Sequence, residues 1–353
     1  MKTDVDTGGV IVPIRDGEAM LRRGKREISI LVAREEVTIT HGRCSAGEQI
    51  AGPHVHHEHT DAFYALEGGL TFAIGREAEI ITVSSGGFVA VPPQVAHSLR
   101  NDGDCSARWL TIHARDGGFA AFMRGARDGV EVEWDMSAVP ADGGLPASEA
   151  FVSPDLGGER LEYGNRLCRL RCARPDMCVV EWHLRGPHSD LPFHDQGRDV
   201  DSFFVIEGEL EAMLAGTRQI LGPGTLISFP RGMHYMLNRR GPGCARILSL
   251  HTPDGGLADH LRRVSVERSR YAVERATART AASPNSEFDG RRTRHHSASG
   301  AGSQYPRFLK DGVMRISSAP TQSKSTSRVP RSNVRRSLTP ASRASSSARS
   351  SAS

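Results

Sequence analysis

The chain is written twice, and that repeat constrains its fold more than any other feature. "DAFYALEGGL" at 61–70 returns as "DSFFVIEGEL" at 201–210, a displacement of 140. "GGFVAVP" at 86–92 returns as "GTLISFP" at 224–230, and "HARDGG" at 113–118 as "HTPDGG" at 251–256, each displaced by 138. Three blocks in one order at a nearly constant offset predict a duplicated domain. Solenoid repeats are far shorter, about 20–50 residues. A chain of 353 residues has room for two cores, since a domain takes ~100–200 residues.

Each copy reads as β-structure. "AFYALEGGLTFAI" places a Glu-Gly turn between two runs of aromatic and apolar residues, and "EIITVSSGGFVAVPP" gives strand, Gly-rich turn and a strand stopped by proline. Short strands punctuated by Gly and Pro predict an all-β sandwich or barrel. Each copy then closes on a short amphipathic helix, marked by Phe119, Phe122 and Met123 in the first and by Leu257 and Leu261 in the second. These apolar positions are expected to pack against the barrel.

The domain boundaries follow from composition. Residues 1–136 form the first domain and residues 159–264 the second, joined by a linker at 137–158 rich in Pro, Gly, Ala and Ser. Residues 265–353 hold 21 serines and 17 Lys/Arg against 5 Asp/Glu. A segment so poor in apolar patterning cannot offset its ordering entropy, so a disordered tail is expected. The body before it carries a net charge of −8, which argues against a nucleic-acid-binding face. No apolar run reaches the ~20 residues of a membrane span. The start, "MKTDVD", has no signal-peptide core, and the six cysteines include no CxxC pair. The expectation is a cytoplasmic protein with reduced thiols and no membrane partner.

Four histidines crowd one stretch, "GPHVHHEHTD", at His54, His56, His57 and His59. In a strand, residues i and i+2 share a face. His54 and His56 therefore converge, and His57 points away. Asp61 follows where the next strand begins, and His97 and Asn101 come later. His59 falls in the turn, and His113 late in a strand, where it is expected to pack.

This pattern resembles the two motifs of the cupin superfamily. The first runs His-x-His, three or four residues, an acidic residue and six residues to a glycine; here these are His54, His56, Asp61 and Gly68. The second is matched by Gly86, Pro92, His97 and Asn101, with Gln94 where the motif has glycine. The chain over residues 10–264 looks like bacterial bicupins and quercetinase-like cupins. The resemblance implies two tandem double-stranded β-helix (jelly-roll) barrels. It also implies a divalent transition metal (Fe, Mn, Ni, Cu or Zn) held by His54, His56, Asp61 and His97. Imidazoles suit Fe, Ni, Cu and Zn, and a carboxylate adds Mn. The usual cupin carboxylate is glutamate, and Asp61 is one methylene shorter. In dioxygenase-like cupins this carboxylate also resembles a proton acceptor, a role that the shorter arm weakens.

At the repeat offset His54 maps to His194, His56 to Gln196 and Asp61 to Asp201. His97 maps to His234, with one residue lost after Pro230. His194, Asp201 and His234 thus form a candidate second metal site with eroded geometry.

The resemblance implies a metal-dependent oxidoreductase of the dioxygenase type acting on a small phenolic or enolisable substrate. A non-redox isomerase, epimerase or decarboxylase is the alternative, as is a non-catalytic small-molecule-binding cupin. Cupin barrels pair through exposed strands, so a homo-oligomer is compatible with the sequence, as is pairing of the two barrels within one chain.

Overall fold

The computed structural model describes residues 8–23, 25–155, 157–163, 166–185, 199–214 and 216–266, all within one compact unit. His194, Gln196 and the tail beyond residue 266 lie outside these residues.

The architecture is two β-barrels, each made from a large and a small antiparallel sheet. The first barrel's seven-stranded sheet runs Phe151–Ser153, Phe88–Val91, Thr60–Glu67, Ala107–Ala114, Thr38–Cys44, Arg26–Ala33 and Glu18–Arg23. Its four-stranded sheet runs Gln49–His54, His97–Arg100, Gly69–Ile74 and Glu79–Ser84. The second barrel repeats the large sheet with Thr225–Phe229, Val200–Glu207, Ala245–Thr252 and Met177–Leu184 in corresponding places.

Strand alternation explains why these strands are apolar almost throughout. In Thr60–Glu67, Phe63 and Ala65 point into the first barrel, and Ala62 and Tyr64 point out of it. Those outward residues meet Val179, Phe204, Leu248 and Leu250 from the second barrel. The two large sheets therefore pack face to face, and pairing of barrels occurs within the chain. One polar cluster spans this contact. Arg171 and Arg246 donate to the buried Glu181 carboxylate, and the Tyr64 hydroxyl of the first barrel donates to Glu181 Oε2 at 3.3 Å.

Two strands cross between barrels. Val10–Pro13 joins the second barrel's sheet beside Thr225–Phe229, and Phe151–Ser153 joins the first barrel's sheet beside Phe88–Val91. The stretch read as a linker thus contributes a strand. Buried Arg171 fastens it from the second barrel, donating to the carbonyls of Pro154, Asp155 and Gly157.

The repeated Glu-Gly turn has a steric cause. Gly68 has φ 70° and Gly208 φ 78°. A Cβ on either would collide with the carbonyl before the neighbouring strand, that of Ser106 or Cys244.

The helices differ between the copies. Phe119–Asp128 packs on the first barrel through Ala120 and Met123, against Met20 and Ile30, while Phe119, Phe122 and Met123 also line a cavity of about 640 Å³. Residues 257–266 are helical too, but Leu257, Ala258 and Leu261 are buried in the second barrel's core. No helix among the described residues is long and apolar enough to cross a membrane.

Candidate metal centre

His54 ends one strand and His97 begins its antiparallel neighbour, and the two residues are cross-strand partners. Asp61 enters from the large sheet, and His56 follows in the connecting loop. One donor atom from each of His54, His56, Asp61 and His97 lies within 4.8 Å of the others.

The tautomers are fixed from behind. His54 Nδ1 donates to the Gly52 carbonyl at 2.7 Å, His97 Nδ1 to that of Val95 at 3.3 Å, and His56 Nδ1 to that of Asp135. With the proton held on Nδ1, each Nε2 keeps its lone pair for the site. His56 Nε2 lies 3.1 Å and His97 Nε2 3.4 Å from Asp61 Oδ2. Two donors ~2.1 Å from one ion at right angles stand about 3 Å apart, so these separations suit adjacent ligands. His97 Nε2 is buried with no hydrogen-bond partner. The donor set therefore fits a divalent transition ion on the chemistry of its residues.

The electrostatics agree. Burial and the neighbouring His97 push His54 down to about 4, which keeps its ring neutral near pH 7. Burial opposes ionisation of Asp61, but the imidazoles of His113 and His56 outweigh it and hold the carboxyl well below its usual range. His56 is raised, because Asp61 and the Asp135 carbonyl overcome burial.

Asp135 organises the histidine loop, and nothing in the sequence pointed to it. Its carboxylate accepts from the backbone N–H groups of His57, Glu58 and His59, and from His59 Nδ1 at 2.7 Å. Burial is outweighed by these donors, and the carboxyl falls to about 2. Trp134 beside it packs on His56 and His59, with centroids 5.0 and 5.7 Å away.

His57 faces outward and bonds to Ser137 and Gln94, the direction expected, although the strand has ended at His54 and the loop sets it. His59 differs from expectation. It is fully buried, with Nε2 3.1 Å from Asp61 Oδ1. His113, expected to be a packing residue, pairs across the sheet with Asp61 and lines the cavity. The repeat carried a signal for it, since His251 pairs with Asp201 in the same register.

The second barrel arranges its residues otherwise. Asp201 is buried, but His234 is exposed, and Tyr235 lies inside at the offset of the flanking blocks, so His97 corresponds to Tyr235 and no residue is lost after Pro230. Tyr235 is 138 residues beyond His97, and its hydroxyl donates to Asp201 Oδ2 at 2.6 Å. His251 Nδ1 bonds Asp201 Oδ1 at 2.5 Å. Of the expected set His194, Asp201 and His234, His194 lies outside the described residues and only Asp201 is placed in the interior. His234 lies outside the interior, and among the described residues Asp199, Tyr235 and His251 are the polar groups gathered with Asp201.

Residues 42–113 match the Cupin domain family. A single-residue variant of oxalate decarboxylase from Bacillus subtilis is 14% identical over 71% of this chain and 80% of its own, with a TM-score of 0.50. A putative glyoxylate-induced protein from Pseudomonas aeruginosa is 17% identical over 71% of this chain and 90% of its own, with a TM-score of 0.51. The fold is that of a bicupin. No curated protein sequence matches the chain. The donor set sits in the barrel that matches the family model, and the hollow beside it is lined by that barrel's own residues.

Proposed function

We propose that the first barrel binds a divalent transition metal through His54, His56, Asp61 and His97. We propose further that it carries out non-redox chemistry, as a decarboxylase or isomerase does, on a small molecule bearing a carboxylate or enol. One observation carries this reading: three Nδ1-anchored imidazoles and an anionic carboxylate converge at the wall of a cavity that His54 and Asp61 line. A bound ion would supply a Lewis acid there. The bicupin fold shared with an oxalate decarboxylase is consistent with this choice.

The chain's own residues indicate the substrate's shape. A cavity of about 640 Å³ lined by Phe63, Trp109, Phe119 and Trp134 takes an apolar or aromatic body, well beyond a two-carbon diacid. Arg26 lines the same cavity and suits a negatively charged group.

The aromatic lining also favours a second reading, dioxygenation of a phenolic substrate. Against it stands the position of Asp61. Oδ2 faces His56 and His97, and Oδ1 faces His59 and His113, so the carboxylate is a poor acceptor for a substrate proton.

Elemental analysis of the purified protein, followed by turnover of aryl-substituted oxo-acids in a sealed oxygen electrode, tests the proposal. One ion or more per chain with product formed and no oxygen consumed is expected. Oxygen uptake matching turnover would favour dioxygenation, and protein free of metal after metal-supplemented growth would overturn both readings.

A further inference from the structure

The Asp61 carboxylate has a second set of histidines on its far oxygen. His59 Nε2 lies 3.1 Å and His113 Nδ1 2.6 Å from Oδ1, and one donor atom from each of the three residues lies within 4.8 Å of the others. His59, Asp61 and His113 are all buried.

Two features separate this set from an ordinary hydrogen-bonded cluster. His59 gives its Nδ1 proton to Asp135 Oδ2 at 2.7 Å, the carboxylate–histidine arrangement that aims a bare Nε2 at a cation. His113 Nδ1, although 2.6 Å from Asp61 Oδ1, is outside hydrogen-bonding geometry, and neither of its ring nitrogens has a hydrogen-bond partner. A nitrogen lone pair and a carboxylate oxygen that lie this close without a hydrogen bond repel each other, and a cation between them would relieve that repulsion.

The second barrel is an internal control. There the same cross-strand pair, His251 and Asp201, forms a true hydrogen bond at 2.5 Å, and the Tyr235 hydroxyl takes the other oxygen. Both oxygens of Asp201 are met by donors. Asp61 has an imidazole nitrogen within hydrogen-bonding reach of each oxygen too, His56 Nε2 on Oδ2 and His59 Nε2 on Oδ1, but it is also approached by His97 Nε2 and His113 Nδ1, two buried nitrogens that make no hydrogen bond.

We infer that the first barrel holds a dinuclear centre: Asp61 bridges two divalent transition ions, one on His54, His56 and His97 and one on His59 and His113. Imidazole and carboxylate donors suit Mn, Fe, Co or Zn at both positions. His113 and Asp61 line the cavity, so the second ion would face the same substrate space. The inference rests on the first-site reading through the shared Asp61.

The test uses the full chain, stripped with chelator and reloaded with Mn²⁺ alone. Metal per chain is read by elemental analysis, coupling by electron paramagnetic resonance, and folding by circular dichroism. The expected result is a spin-coupled multiline spectrum. His113→Asn should lose one ion per chain and give the six-line spectrum of an isolated Mn²⁺. His59→Asn should do the same, which guards against one variant failing to fold. An unchanged ion count in both folded variants, with an uncoupled wild-type spectrum, would overturn the second ion. In that case, loss of one ion in His97→Ala would leave the first site standing. A wild type that binds no Mn²⁺ would overturn both.

Discussion

The Tyr235 hydroxyl donates to Oδ2 of Asp201 at 2.6 Å, in the place that His97 takes beside Asp61. Its ring stacks on Phe229 with centroids 4.0 Å apart. At the 138-residue offset that relates Pro92 to Pro230, a tyrosine stands where the first barrel has His97, and a candidate ligand is exchanged for a hydrogen-bond donor. Removing the hydroxyl in Tyr235→Phe leaves a buried carboxylate oxygen short of its partner. A loss of about 1–3 kcal/mol in urea unfolding is expected, with metal content unchanged. A fall in metal content would show that the second barrel contributes to metal binding through Tyr235.

Asp135 holds the histidine loop from outside the donor set. It accepts three backbone N–H groups and orients His59, and its carbonyl fixes His56. Outer partners of this kind change metal affinity by about 10- to 100-fold when removed. Asp135→Ala should weaken binding by that factor in a competition titration with a chelating dye. His57→Ala should leave affinity as it is, because His57 points to Ser137 and Gln94. Equal behaviour of the two variants would refute the role given to Asp135.

The sequence made some parts of this arrangement legible and hid others, for physical reasons. The repeat revealed two barrels, because the Glu-Gly turns need Gly68 and Gly208 at positive φ in both copies. Strand alternation separated His54 and His56 from His57. It could not reach His59, whose burial depends on Asp135 coming 76 residues later to cover the loop. Nor could it show that Val10–Pro13 completes the other barrel's sheet, since strand pairing at that distance leaves no local pattern. Gln94, odd against the motif, has φ 68°, the conformation the motif's glycine would adopt freely.

Gly42 makes room for the cavity wall. It lies opposite Trp109 in the large sheet, and a Cβ built on it would sit within the Trp109 ring. Trp109 is buried and fixes its indole through a 3.1 Å bond from Nε1 to Thr111 Oγ1. Gly42→Val therefore displaces the ring into the cavity. Overpacking of this kind costs about 1–3 kcal/mol. The expected outcome is a lower urea midpoint together with weaker binding of aromatic acids, followed by Trp fluorescence. Wild-type stability in the variant would mean that Trp109 has another place to go.

The contact between the barrels should contribute to the acid limit of stability, beside the depressed carboxyls of Asp61 and Asp135. Glu181 is buried between Arg171 and Arg246. Burial alone would raise its carboxyl, but His183, Arg171 and Arg246 outweigh it and bring the carboxyl down to about 2 from the usual 4.5. A group depressed on folding stabilises the protein above its unfolded value. That contribution is lost as pH falls through the folded one. Stability should therefore be level in this respect above about pH 5. It should decline between pH 4.5 and 2 by on the order of 3 kcal/mol, since each tenfold change in proton affinity is worth about 1.4 kcal/mol. Urea unfolding in the presence of chelator, so that metal release does not contribute, measures it. Glu181→Gln should lose this acid-dependent contribution and start from a lower plateau, because Arg171 then has no counter-charge in the interface. An acid decline as steep in the variant as in the wild type would place the pH sensitivity elsewhere.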